Sequence, residues 1–173
     1  MMPAAILLIS ALTLSSSHLG NTPSPPNVER SFHVRGADSH ARELIESGAA
    51  GSRTFSQLLE RLAASDVIVY IKTVDRLRGG VTGQLMFATA AGNWRFLRIE
   101  LLMDGSLTDR ISALGHELQH AVEVADAPRV RDPDTLAALY LHIGWNYNVG
   151  TRYESLAARE TGERVREEMN GRR

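Results

Sequence analysis

The segment ISALGHELQHAVE, residues 111–123, restricts the fold and chemistry of this chain more than any other stretch. It contains His116-Glu117-Leu118-Gln119-His120, an HExxH pattern. On a helix the two histidines are one turn apart on one face, so their imidazoles can converge on one metal ion. Glu117 lies beside them, where its carboxylate can reach a water held by that metal and take its proton. A pattern this short arises by chance in roughly one random ordering in 100 of such a composition, so its surroundings must support it. They do: Leu107, Ile111, Leu114, Leu118 and Val122 recur at spacings of four and three, giving the helix an apolar back. His116, His120 and Glu123 fall on nearly the opposite side, which suits a helix that faces a cleft.

The rest of the composition narrows the ligand chemistry. Cysteine is absent, which removes disulfides, thiolate metal sites and a cysteine nucleophile. A metal must then be held by histidine and carboxylate, and neutral imidazole with carboxylate favours one Zn2+. A net charge of −1 with no basic block argues against nucleic acid as a partner. At 173 residues the chain suits one domain, placed at 31–170, with appendages before it. Residues 4–14 form an apolar run too short to span a bilayer and of signal-peptide length, so 1–20 is expected to direct export to a periplasmic or secreted location, with no stable membrane anchor. A buried first strand in a cytoplasmic protein is the alternative. The prolines of residues 21–30 read as a linker.

The domain is expected to be α+β. A short helix over 39–47 ends at Gly48 and Gly51, and a second over 54–62 is capped by Ser52 or Thr54. Strands follow at 66–74, 82–88 and 94–102, with turns at 78–80 and 91–93, and their short connections predict a three-stranded antiparallel meander. Ser106 or Thr108 caps the HELQH helix. Asp132-Pro133 starts another helix, stopped by Gly144, and a loop over 145–150 leads to a last helix from Thr151 to about Met169.

A catalytic site needs a third protein ligand. The continuation HExxHxxGxxH is absent. Glu123 has HExxHxxE spacing, but its Cα rises about 4.5 Å beyond that of His120, so it serves better as a partner that orients His120, or is simply a solvated charge. Glu154 is the preferred ligand, on a last-helix face with Ala157, Ala158, Thr161 and Val165; the small residues would allow close approach to the HELQH helix. The competing role for Glu154 is a capping box with Thr151. The remaining acidic residues of that helix, Glu160, Glu163, Glu167 and Glu168, alternate with arginines on outer faces.

With His116, Glu117, His120 and Glu154 in place, the chain resembles the zincin metallopeptidases, and among them the gluzincins. Residues 153–158, YESLAA, look like the Glu-x-x-Ala form of the gluzincin ligand helix. HELQHAVE is also similar to small exported bacterial proteins of unassigned function. The likeness covers roughly residues 94–165 and implies a minimal zincin-like fold that hydrolyses peptide or protein substrates. Glu117 would be the general base, and an extended substrate would lie along the edge of the 94–102 strand. An oxyanion donor is also implied, with Tyr140, His142, Tyr147 and Tyr153 as candidates. The alternative function is a non-catalytic zinc-binding exported module.

Overall fold

The structure is a computed structural model and describes residues 33–146 and 153–171. The expected signal peptide and linker lie outside the described residues. The elements in order are β1 (Val34–Gly36), α1 (Ser39–Gly51), α2 (Arg53–Ala63), β2 (Val67–Val74), β3 (Gly83–Ala91), β4 (Trp94–Leu102), α3 (Leu107–Ala125), α4 (Pro133–Ile143), β5 (Trp145–Asn146), β6 (Tyr153–Glu154) and α5 (Leu156–Asn170). The class is α+β, as expected.

The sheet departs from the expected meander. It has four strands in the order β1-β2-β4-β3, with β1 and β4 parallel to β2 and only β3 antiparallel to its neighbour. The chain leaves β2, runs back as β3 on the outside, and turns at Gly92-Asn93 to insert β4 between them. Side-chain polarity explains this order. β4 buries Leu97, Ile99 and Leu101 on one face, while its other face carries Phe96 beside Arg98 and Glu100 and is only partly covered. β3 has no buried residue and carries a register shift between Phe87 and Thr89, as an edge strand tolerates. The strand at 94–102 is therefore paired on both sides and cannot take a peptide at its edge; the free edge belongs to β3.

Caps set most helix boundaries. Asp38 starts α1 by accepting from the Ala41 amide, and its carboxylate also accepts from the amide and hydroxyl of Thr73, which ties α1 to β2. α1 does not stop at Gly48, which is buried beneath the Phe55 ring of α2. Ser52 caps α2, with help from Glu168: that carboxylate accepts from Ser52 Oγ, Thr54 N and Thr54 Oγ1. Glu168 therefore has an interior task rather than a place on the solvated face. α3 begins in a capping box of Ser106 with Asp109.

α3 is the central element, packed against the sheet and against α1, α2 and α5. Its expected stripe is buried from Ile111 to Val122, while Leu107 is exposed. Its C-terminus is held by Arg95 of β4, a fully buried arginine that the sequence reading did not single out. Inward-facing register (95, 97, 99 and 101 are all inaccessible) sends this side chain under the last turn of α3. There it donates to the carbonyls of Val124, Ala125 and Ala127, and its other nitrogens grip Asp66. A cation is favourable at a helix C-terminus, and five fixed donors match this many acceptors. Replacing it with Met is expected to destabilise the protein by about 1–3 kcal/mol in urea unfolding, because the carbonyls at the end of α3 lose their buried donor, while Asp66 is exposed enough for water to take over. A Lys variant should recover little of the loss; full recovery would show that charge alone suffices.

Candidate metal centre

α3 brings His116 and His120 to one side with their rings 4.8 Å apart and nearly perpendicular. Glu154 meets them from the other side: its Oε1 is 3.5 Å from His116 Nε2 and 3.8 Å from His120 Nε2. Ligand atoms on a tetrahedral zinc with bonds of about 2.0–2.2 Å stand roughly 3.3 Å apart, so these separations fit one small cation. His116, His120 and Glu154 form the group of histidines and acids among the described residues that could hold a metal ion, with ligand atoms all within 4.8 Å of one another.

The position of Glu154 in the chain differs from the expectation. It is not on the last helix but on β6, paired with Trp145 of β5. The helix starts two residues later because Ser155 is its N-cap, accepting from the Ala158 amide. Thr151, the partner in the competing capping box, lies outside the described residues. Glu154 Oε1 accepts from the Ser155 amide, and burial raises its pKa against the lowering effect of His120 and that hydrogen bond.

The buried face of α5 is Ala158, Gly162 and Val165, while Ala157 is exposed. Gly162 makes the approach possible: a Cβ there would lie 3.2 Å from His116 Cβ and 3.3 Å from the Ser112 carbonyl oxygen. Ser112 Oγ donates to the Gly162 carbonyl and locks the contact. Any larger side chain at 162 would push α5 away from the histidine.

Glu123 orients His120, as its spacing suggested. Its Oε2 is 2.8 Å from His120 Nδ1, which directs Nε2 toward Glu154. The other carboxylate oxygen accepts from Ser155 Oγ. Burial works to raise the pKa of Glu123, but the bonds from His120, Ser155 and Tyr140 hold it below its usual range. Tyr140 stands over His120 at 5.1 Å, edge to face, and its hydroxyl contacts the His120 carbonyl and Glu123. It does not line the cleft beside Glu117, and its contacts support the His120 ring. Its pKa is pushed up by burial and the nearby carboxylates, so the hydroxyl keeps its proton. His142 is exposed on α4 and is not brought to the centre. Tyr147 lies outside the described residues, and Tyr153 is placed as the β6 residue before Glu154.

Glu117 is only 6% exposed and reaches toward β3, where it accepts from the Leu85 amide. Gly83 gives it room: a Cβ there would sit 2.8 Å from Glu117 Cγ. Glu117 and His116 line a cleft of about 770 Å³ with Gly83, Ala113, Glu154 and Gly162. Burial raises the Glu117 pKa to about 7, while burial and the neighbouring His120 lower that of His116 to about 4. His120 is moved upward: burial opposes its charge, but Glu123 and the other carboxylates outweigh it. His116 is thus neutral at pH 7, as a ligand must be.

Set against known proteins, the chain matches no family model, no curated protein and no solved structure. Among the described residues no helix is long and apolar enough to cross a membrane.

The raised value at Glu117 has a measurable cost. Its folded-state pKa of about 7 lies above the ordinary 4.5, so ionisation destabilises the metal-free fold as pH climbs between those values. Glu117→Gln removes the ionising group and keeps an oxygen for the Leu85 amide. In chelator, the variant is expected to be more stable than wild type at pH 8 by on the order of 2–3 kcal/mol. The gap should close below about pH 4.5, where both side chains are neutral in either state. Urea titrations at the two pH values measure it, and a pH-independent difference would contradict the assignment.

Proposed function

We propose that this chain is a zinc-dependent peptide hydrolase of the gluzincin kind, with His116, His120 and Glu154 as ligands and Glu117 as general base. The observation that carries the reading is the convergence of two imidazole Nε2 atoms and one carboxylate beside a cleft that His116, Glu154 and the buried Glu117 line. The donor set contains nitrogen and oxygen and no thiolate, as in catalytic rather than structural zinc sites. A zinc ion bound there would supply Lewis acidity to water and to a substrate carbonyl.

The protein's own groups account for the proton traffic. A Glu117 carboxylate oxygen takes a proton from the attacking water and returns it to the leaving amine. Burial and the bond from the Leu85 amide hold that carboxyl beside the histidines, and burial favours the protonated form that returns the proton. Glu117 also argues against a site that merely binds metal, because ligation needs the histidines and Glu154 but not a buried acid beside them. The free edge of β3 supports a peptide as substrate. β3 is an outer strand of the sheet, and the backbone of such an edge can take an extended chain as a further strand.

Digestion of a peptide library by the zinc-loaded full chain tests the proposal. Wild type is expected to cleave, and 1,10-phenanthroline to stop it. Glu117→Ala should lose about 10²–10⁴-fold in kcat/KM while retaining zinc. Equal activity in both proteins, or none in either, would defeat the hydrolase reading.

A further inference from the structure

The metal ligands come from two elements, α3 and β6, and one buried carboxylate touches both. Glu123 accepts at one oxygen from Nδ1 of His120 and at the other from Oγ of Ser155. Ser155 follows Glu154 directly, and the same hydroxyl oxygen caps α5 by accepting from the Ala158 amide. The Ser155 amide also donates to Oε1 of Glu154. Ser155 is 4% exposed and the Glu123 side chain 10%, so little water competes for these bonds. Tyr140 closes the group from α4, with its hydroxyl at Glu123 and at the His120 carbonyl.

We propose that Glu123 is a positioning residue that sets the spacing of the whole ligand set through Ser155, not only the orientation of His120. The inference rests on His116, His120 and Glu154 being the metal site. Its physical basis is that the carboxylate has two acceptor oxygens in fixed relation. One fixes the His120 tautomer, leaving Nε2 free to ligate. The other anchors the backbone at the point where β6 passes into α5, and with it the Cα from which Glu154 reaches across. Removal of either bond lets Nε2 of His120 and Oε1 of Glu154 separate. Loss of the Ser155 hydroxyl should therefore impair metal binding even though Ser155 is not a ligand.

The test is metal binding by the full chain, with Zn2+ affinity from competition with a chromophoric chelator and the d–d absorption of bound Co2+ as a coordination readout. Glu123→Ala and Ser155→Ala are each expected to weaken Zn2+ binding roughly 10- to 100-fold and to change the Co2+ spectrum. The double variant should lose far less than the product of the two, because both interrupt one link. Ser155→Thr, which keeps the hydroxyl, should restore affinity and spectrum. Should an alanine variant not fold, Glu123→Gln and Ser155→Thr carry the comparison: Gln should shift the Co2+ spectrum and Thr should not. Ser155→Ala also removes a helix cap, so lower thermal stability with unchanged affinity and spectrum would reduce Ser155 to a cap and overturn the inference. Alanine variants that bind like wild type would overturn it while leaving the metal site intact. A wild-type chain that takes up neither metal would overturn both.

Discussion

A helix buried on most of its circumference must find partners for its polar atoms inside the protein, and α3 is such a helix. Its C-terminal carbonyls are met by Arg95, its Ser112 hydroxyl by the Gly162 carbonyl, and its Glu123 carboxylate by His120 and Ser155. Leaving any of these unpaired would cost more than an ordinary surface hydrogen bond contributes. Together they determine where β4, α5 and the β6 junction sit around α3. The candidate site is the side of the helix where this pairing leaves three side chains facing one another.

Much of this was legible before the fold. Apolar spacing placed the HELQH helix and its buried back, and the Asp132-Pro133 start and Gly144 stop of α4 followed from local chemistry that the chain obeys. Helical rise removed Glu123 as first-choice ligand and left it as partner of His120 or as a solvated charge; the fold makes it the partner. What escaped depends on distant neighbours. Strands 66–74, 82–88 and 94–102 were each visible, but the insertion of β4 between β2 and β3 depends on pairing with distant neighbours, the strand with four buried residues lying inside and the one with none at the edge. Arg95 looked like one more scattered arginine; only its register with Leu97, Ile99 and Leu101 sends it inward. Glu154 was found for partly the wrong reason. Thr151 and Ser155 are both capping residues four apart, and pairing with β5 decides for Ser155, leaving Glu154 extended and still within reach of both histidines.

The proposed chemistry sits within a single scaffold. His116, a supported His120 and a carboxylate from a separate strand form a group that could hold one metal ion. Distance brings together three residues, His116, His120 and Glu154, and Glu117 stands beside them on the same helix. The structure departs from the resemblance to the gluzincins in the carrier of the third ligand, a strand end rather than a helix.

The cleft walls differ in kind. On one side stands α3, whose residues belong to the core and are fixed by it. On the other stands β3, in which no residue is fully buried and whose outer edge is unpaired in the sheet. Displacing α3 would open the interior, whereas β3 is tied to the rest by its ladder to β4 and by Leu85 and Phe87 against the core. The spacing of the two histidines is therefore set on the wall with the deeper anchorage, independently of the outer strand opposite.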